Sequence, residues 1–331
     1  MDIALLTNLI LVLAGILILL FGGDFLVRGA VALARKLGIA PLIVGLTIVA
    51  FGTSAPEMVV SAFAAIEGAP GIAIGNIVGS NIANILLVLG LPAILAPMAT
   101  AAPGVRTNVL IAFGASLLFI GLTWDRVLDL SDGAILFALI IVYIAWLALV
   151  ARKAKDDPII AELTDIDGMD GLPKGPLAIA GMVLIGVVFL PIGAHLIVAG
   201  GGELARGLGV SEAIVGLTLI AFGTSLPELA TAMVAALRRH AEMAIGNVIG
   251  SNIFNLFAVG GIAGVATSFG PAGLAQVDEA FFRLDYWVMM GAIAAAMLFV
   301  LTRRPIGRLA GLVLFTAYCG YIGALVWQSL N

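Results

Sequence analysis

Two short blocks hold the residues best suited to chemistry, Thr53-Ser54-Ala55-Pro56-Glu57 and Thr224-Ser225-Leu226-Pro227-Glu228. Each places one carboxylate inside a long apolar run. A charged side chain at the centre of a bilayer costs at least about 2.5 kcal/mol, so it must face a cavity and have a partner. No basic residue lies in the interior of any apolar run to pair with either glutamate. Two such carboxylates require either protons or a bound cation. Hard cations such as Ca2+ and Na+ take oxygen ligands. Thr53 and Glu57 are four apart and share a helix face, as do Thr224 and Glu228. Pro56 and Pro227 free carbonyls in the preceding turn, near Ala50 and Ala221, which can join the cage. The plainer reading is that Ser54-x-x-Glu57 and Ser225-x-x-Glu228 are capping boxes opening the second half of a broken helix. Capping could use Gln, however, so two matched glutamates point further, to a cation site.

A second pair of blocks runs Gly75-Asn76-Ile77-Val78-Gly79-Ser80-Asn81-Ile82-Ala83-Asn84 and Gly246-Asn247-Val248-Ile249-Gly250-Ser251-Asn252-Ile253-Phe254-Asn255. Ser80 with Asn84, and Ser251 with Asn255, share a face at i and i+4 and are read as ligands. Asn81 and Asn252 are read as polar contacts between helices, with Gly75, Gly79, Gly246 and Gly250 as close-packing surfaces. Asp24 and His195 occupy equivalent positions and are assigned an interfacial role, His195 being able to titrate near neutral pH. His240, beside Arg238 and Arg239, is expected to be solvated, and Glu203 is given no role. The single cysteine, Cys319, permits no intramolecular disulfide and is expected to serve packing.

The elements that position these residues follow from composition. Of 331 residues, 62% are hydrophobic and 11% charged, against about 25% charged in a soluble domain. This excludes a soluble enzyme and predicts an all-α polytopic membrane protein. Runs of about 20 apolar residues fall near 3 to 27, 40 to 65, 72 to 98, 105 to 124, 133 to 151, 176 to 200, 210 to 237, 243 to 268, 285 to 301 and 306 to 328. That makes ten spans, the second and seventh interrupted by proline. The first is expected to be a retained helix, since Asp2 is the only early charge and no cleavage pattern follows. Basic residues split 13 against 3 between loops after odd and even spans, which puts both termini outside the cytoplasm.

The chain repeats itself. From Phe21 to Gly90, 33 of 70 positions are identical to the residue 171 further on. Residues 1–151 form the first five-helix repeat, 152–174 a cytoplasmic acidic linker and 175–331 the second repeat. Five spans, an odd number, separate the two starts, so the copies cross the membrane in opposite directions. Inverted repeats are a device of secondary transporters, which bind substrate at the midplane where broken helices meet. The linker run Asp165-Ile-Asp167-Gly-Met-Asp170 lacks EF-hand spacing and its terminal Glu, and is read as a solvated connection.

On these four matched blocks the sequence resembles the cation/calcium exchanger superfamily, its prokaryotic sodium/calcium exchanger type, over nearly the whole chain. The resemblance implies ten helices in two inverted halves, four central cation sites, and Na+/Ca2+ antiport as the first and sixth helices slide across a fixed core. It implies side-chain ligands at Thr53, Ser54, Glu57, Ser80, Asn84, Thr224, Ser225, Glu228, Ser251 and Asn255, with carbonyls at Ala50 and Ala221. Several prokaryotic relatives carry Asp where this chain has Asn255, so the site here has two carboxylates rather than three.

The rival readings are a Ca2+/H+ antiporter using the same glutamates and a cation channel, which would lack strict counter-ion dependence. No motif places a histidine to activate a serine, which argues against an enzyme. The small net charge of −4 has no basic stripe for nucleic acid. The expected partners are Na+, Ca2+ and the lipid bilayer of the cell membrane, with no cofactor and no obligatory protein partner.

Overall fold

A computed structural model describes residues 3–39, 41–154, 172–207, 222–270 and 274–330. These residues are almost entirely helical. In chain order the helices are α1 (Ile3–Leu37), α2 (Leu42–Thr53), α3 (Ala55–Ile66), α4 (Pro70–Leu95), α5 (Val105–Leu122), α6 (Leu130–Ala154), α7 (Pro176–Gly207), α8 (Leu226–Leu237), α9 (Ala241–Thr267), α10 (Tyr286–Leu301) and α11 (Arg308–Leu330). Two short strands, β1 (Val127–Leu128) and β2 (Ala275–Gln276), pair antiparallel and tie the α5–α6 connection to the α9–α10 connection.

Among the described residues eight helices are long and apolar enough to cross a membrane, and α2 with α3 makes a ninth span bent by 44° at Ser54. Pro56 explains the break, because it lacks the N–H that would bond the carbonyl of Gly52. The expected span at 210 to 237 is represented by its described end, which contains α8. Most of the expected linker, 155–171, lies outside the described residues.

The molecule is inside out by the standard of a soluble protein. The helices richest in Gly, Ser and Asn, α4 and α9, are the most buried, while the apolar α1, α6, α7 and α11 lie mostly on the surface. Leu13, Phe21, Phe63 and Trp327 are among the large apolar side chains left exposed, as lipid contact allows. Cys319 is also exposed, so it does not serve the packing role expected of it.

Helices α1 and α7 run antiparallel and pack closely along their lengths. A Cβ on Gly15 would lie 2.7 Å from the Gly193 carbonyl, and one on Gly186 would lie 2.5 Å from Leu26. Small residues thus let the two backbones meet, which is how helices associate in lipid without a hydrophobic driving force. At 35 and 32 residues, both exceed the roughly 20 needed to span the hydrocarbon core. The expected first span ends at 27, but its helix runs on through Arg35 and Lys36.

Candidate cation-binding site

The two broken-helix starts meet the two central helices at the middle of the bundle. Glu57 stands in the first turn of α3 and Glu228 in the first turn of α8, and both are almost fully buried, at 1% and 0% exposure. A helix start carries exposed N–H groups and a positive dipole end, which favour negative charge. Among the described residues neither carboxylate meets a basic side chain; both Glu57 oxygens and Glu228 Oε2 receive no hydrogen bond. The remaining oxygen, Glu228 Oε1, accepts from the Ser54 hydroxyl at 3.2 Å. Ser54 and Ser225 occupy the cap positions of α3 and α8, yet neither side chain makes a capping bond. The capping-box reading therefore fails, and the Ser54 hydroxyl is spent on the opposite repeat's carboxylate.

Around the glutamates stands a layer of neutral polar groups. Ser80, Asn84, Ser225 and Asn255 are buried, and Ser80 Oγ, Ser225 Oγ and both amide atoms of Asn84 and Asn255 have no hydrogen-bond partner among the described residues. Orphaned buried polar atoms are costly, so such a concentration marks a place where something else supplies the bonds. Asn84 and Asn255 also open π-helical segments, Asn84–Leu89 in α4 and Asn255–Val259 in α9. The looser winding occurs mostly as bulges at functional positions. Thr53 lies 3.4 Å from Ser251 Oγ, which brings a further pair of expected ligands together.

Two asparagines not singled out by the sequence reading complete the frame. Asn76 Nδ2 donates to the Glu57 carbonyl at 3.2 Å and to Ser61 Oγ at 2.9 Å, while its Oδ1 accepts from Thr224 at 3.3 Å. Asn247 mirrors this: its Oδ1 accepts from Thr53 at 3.3 Å and its Nδ2 donates to Thr231 at 2.9 Å. Each asparagine thereby ties its own repeat to the threonine of the other. The signal was their place in the matched Gly-Asn pairs, but both amides could equally have been spent within one helix.

Several expectations need correction. The Ala50 carbonyl is not freed by Pro56; it accepts from the Ser54 N–H at 2.9 Å and the Thr53 hydroxyl at 3.3 Å. The freed carbonyl is that of Gly52, four residues before the proline. Ala221 lies outside the described residues. His240 is not solvated but 3% exposed, with Nδ1 3.6 Å from Glu242. Asp24 is interfacial as expected, ion-paired with Arg238 at the end of α8. Asn252 Nδ2 donates to the Asn81 backbone carbonyl at 3.4 Å, the interhelical contact anticipated for Asn252, whereas the Asn81 side chain donates to the Ile77 carbonyl of its own helix at 2.7 Å. A Cβ on Gly246 or Gly250 would come within 3.0 Å of α2 backbone, whereas Gly75 and Gly79 have no such close neighbour among the described residues.

Comparison with known proteins gives a consistent result. The family model described as sodium/calcium exchanger protein matches residues 7–149 and 178–327. The chain is 38% identical to CaxA of Alkalimonas amylolytica over 94% of its own length and 96% of the relative's. It is 31% identical to the sodium/calcium exchanger MaX1 of Methanosarcina acetivorans, over 97% and 99%. Among solved structures it resembles the sodium-calcium exchanger NCX_Mj, with a TM-score of 0.79 at 31% identity, covering 98% of this chain and 99% of that one. Two family segments that together span nearly all of the chain, each contributing one buried glutamate at a broken-helix start, leave one assignment: the chain belongs to the sodium/calcium exchanger family.

Proposed function

We propose that this protein is a secondary antiporter that exchanges Na+ for Ca2+ across the cell membrane by alternating access, extruding Ca2+ as Na+ enters. The observation that carries this reading is the matched pair of buried carboxylates, Glu57 and Glu228, ringed by neutral oxygen donors and meeting no basic side chain among the described residues. Two negative charges match one Ca2+, and the same oxygens suit several Na+. Competition between the two loads couples the fluxes, because only a loaded site offsets the charge that otherwise resists reorientation.

The ligand set comprises the side chains of Thr53, Ser54, Glu57, Ser80, Asn84, Thr224, Ser225, Glu228, Ser251 and Asn255, with Ala221 supplying a carbonyl. The Ala50 carbonyl takes part only by giving up the Thr53 hydroxyl it now accepts. The chain has ten membrane spans in two inverted halves, with both termini outside the cytoplasm; the antiparallel run of α1 and α7, equivalent helices of the two repeats, supports the inversion.

Three Na+ per Ca2+ is energetically reasonable. Moving Ca2+ out against about a ten-thousandfold gradient and about 100 mV costs about 10 kcal/mol, while each Na+ returning down about a tenfold gradient yields about 3.7 kcal/mol.

The test is uptake of radiolabelled Ca2+ into proteoliposomes loaded with Na+, with K+ or with an acidic buffer. Uptake that requires internal Na+ is expected. Uptake driven by the acidic interior without Na+ would replace the counter-ion with H+, and uptake indifferent to the interior would indicate a channel.

A further inference from the structure

The broken helices of the two repeats end in the same turn. Glu67 caps the C-terminus of α3 and Arg238 that of α8. The following residues, Gly68 and Arg239, both take left-handed backbone, with φ of 75° and 62°. The bonds match as well: Gly68 N–H to the Ala65 carbonyl and Ala69 N–H to Ala64, against Arg239 N–H to Ala236 and His240 N–H to Ala235. Glu67 and Arg238 therefore stand at one structural position in two copies, with opposite charge. On the crossing helices the equivalents are Asp24 of α1 and His195 of α7, again an acid in one copy and a base in the other.

Of the two combinations that the pseudo-symmetry allows, one is made. Asp24 is ion-paired with Arg238 and lies 3.6 Å from Arg28 on its own helix. Glu67 and His195 are both exposed, and neither side chain is ion-paired or hydrogen-bonded among the described residues. Backbone packing shows the same asymmetry. Helix α1 lies along α8, where Gly23 approaches the Ala230 carbonyl closely enough that a Cβ would sit 3.2 Å from it, while among the described residues α7 makes no comparable contact with α3.

We propose that these four residues form two latches that close in turn. In the present conformation Asp24–Arg238 holds the α1 side against the core. When the interlocked α1–α7 pair shifts along the core, that contact parts, and the His195 imidazole N–H reaches the Glu67 carboxylate at the opposite face. The swap of acid and base between repeats keeps each latch attractive while making the cross-combinations, Asp24 with Glu67 and Arg238 with His195, unproductive. An ion pair of this exposure shifts an equilibrium by no more than about fivefold, so the latches bias the two orientations rather than locking them. The proposal rests on the exchanger reading above.

The test uses the full chain with Cys319→Ala, into which the pairs Asp24→Cys with Arg238→Cys and Glu67→Cys with His195→Cys are introduced, separately and together. Each pair is expected to be joined by a short bifunctional thiol reagent in proteoliposomes, with loss of exchange in either case. In the four-cysteine protein, joining the first pair is expected to lower joining of the second by at least about tenfold. Molecules carrying both cross-links, or a Glu67→Cys/His195→Cys pair never joined where the first pair is, would overturn the proposal. Charge-swapped Asp24→Arg with Arg238→Asp is expected to recover the exchange rate that either single change alters. If the uncross-linked protein moves Ca2+ regardless of counter-ion, the exchanger reading fails; if exchange is intact and both pairs close together, only the latches fail.

Discussion

Ser54 of one repeat donates its hydroxyl proton to Glu228 of the other, at 3.2 Å. The bond joins the break in α2–α3 to the carboxylate at the start of α8, so neither half of the site is complete alone. The Asn76–Thr224 and Asn247–Thr53 bonds repeat this logic on both sides. A cation that gathers Glu57 and Glu228 consequently pulls on both repeats at once, which is what coupling ion binding to reorientation requires.

Glu57→Gln and Glu228→Gln are expected to abolish Na+-driven Ca2+ uptake, with apparent Ca2+ affinity falling at least about tenfold for each charge removed. Stability should move the other way. Both carboxylates are buried without a basic partner among the described residues, so the neutral amides should raise the unfolding midpoint in ion-free detergent solution. Saturating Ca2+, at about a hundred times its Kd, should stabilise the native protein by about 2.7 kcal/mol and the Gln variants far less. Gln variants that unfold earlier than the parent in ion-free buffer would show that the carboxylates already have partners.

Asn76→Ala and Asn247→Ala are expected to weaken the site without emptying it. Each removes one bond to a threonine of the opposite repeat, the buried Thr53 for Asn247 and the half-buried Thr224 for Asn76, at a cost of about 1 kcal/mol. The KM for Ca2+ should rise while maximal exchange is retained, measured as initial uptake over a range of external Ca2+. An effect on stability alone, with KM unchanged, would make the asparagines packing residues.

Much of this arrangement was legible in the residue string because lipid makes the code strict. Polar groups in an apolar run must have a reason, and Glu57, Ser80, Asn84 and their equivalents at an offset of 171 stood out on that ground. Proline placed the break at Ser54 correctly. What was not legible were choices between partners of similar energy. The Ser54 hydroxyl could cap its own helix or reach across, and the Ala50 carbonyl could be freed or doubly bonded; only packing decided. His240 looked solvated because it follows two arginines, yet the turn that places Arg239 in left-handed backbone directs His240 inward.

Asn255→Asp is expected to bind Ca2+ more tightly, by about tenfold or more, because a third carboxylate adds charge to the same ligand set. Asn255 is fully buried and both its amide atoms lack partners among the described residues. The new charge should therefore destabilise the ion-free protein and enlarge the stabilisation gained on adding Ca2+. Competition between unlabelled Na+ and radiolabelled Ca2+ in proteoliposomes measures the first effect, and unfolding midpoints with and without Ca2+ the second. Unchanged affinity would place Asn255 outside the ligand set.

Arg239→Gly is expected to stabilise the fold with exchange unaltered. Arg239 has φ of 62°, and its equivalent in the first repeat is Gly68 at 75°. Left-handed backbone costs an L-residue with a Cβ about 1–2 kcal/mol, whereas glycine adopts it freely but loses roughly 0.5–1 kcal/mol more chain entropy on folding. The balance favours glycine by several tenths of a kcal/mol to about 1 kcal/mol, or a rise in Tm of roughly 0.5 to 1.5 °C. The Arg239 side chain is exposed and touches none of the candidate ligands, so the Na+ dependence of Ca2+ uptake should be preserved. A lower Tm would mean that the guanidinium contributes more to this turn than the backbone strain takes away.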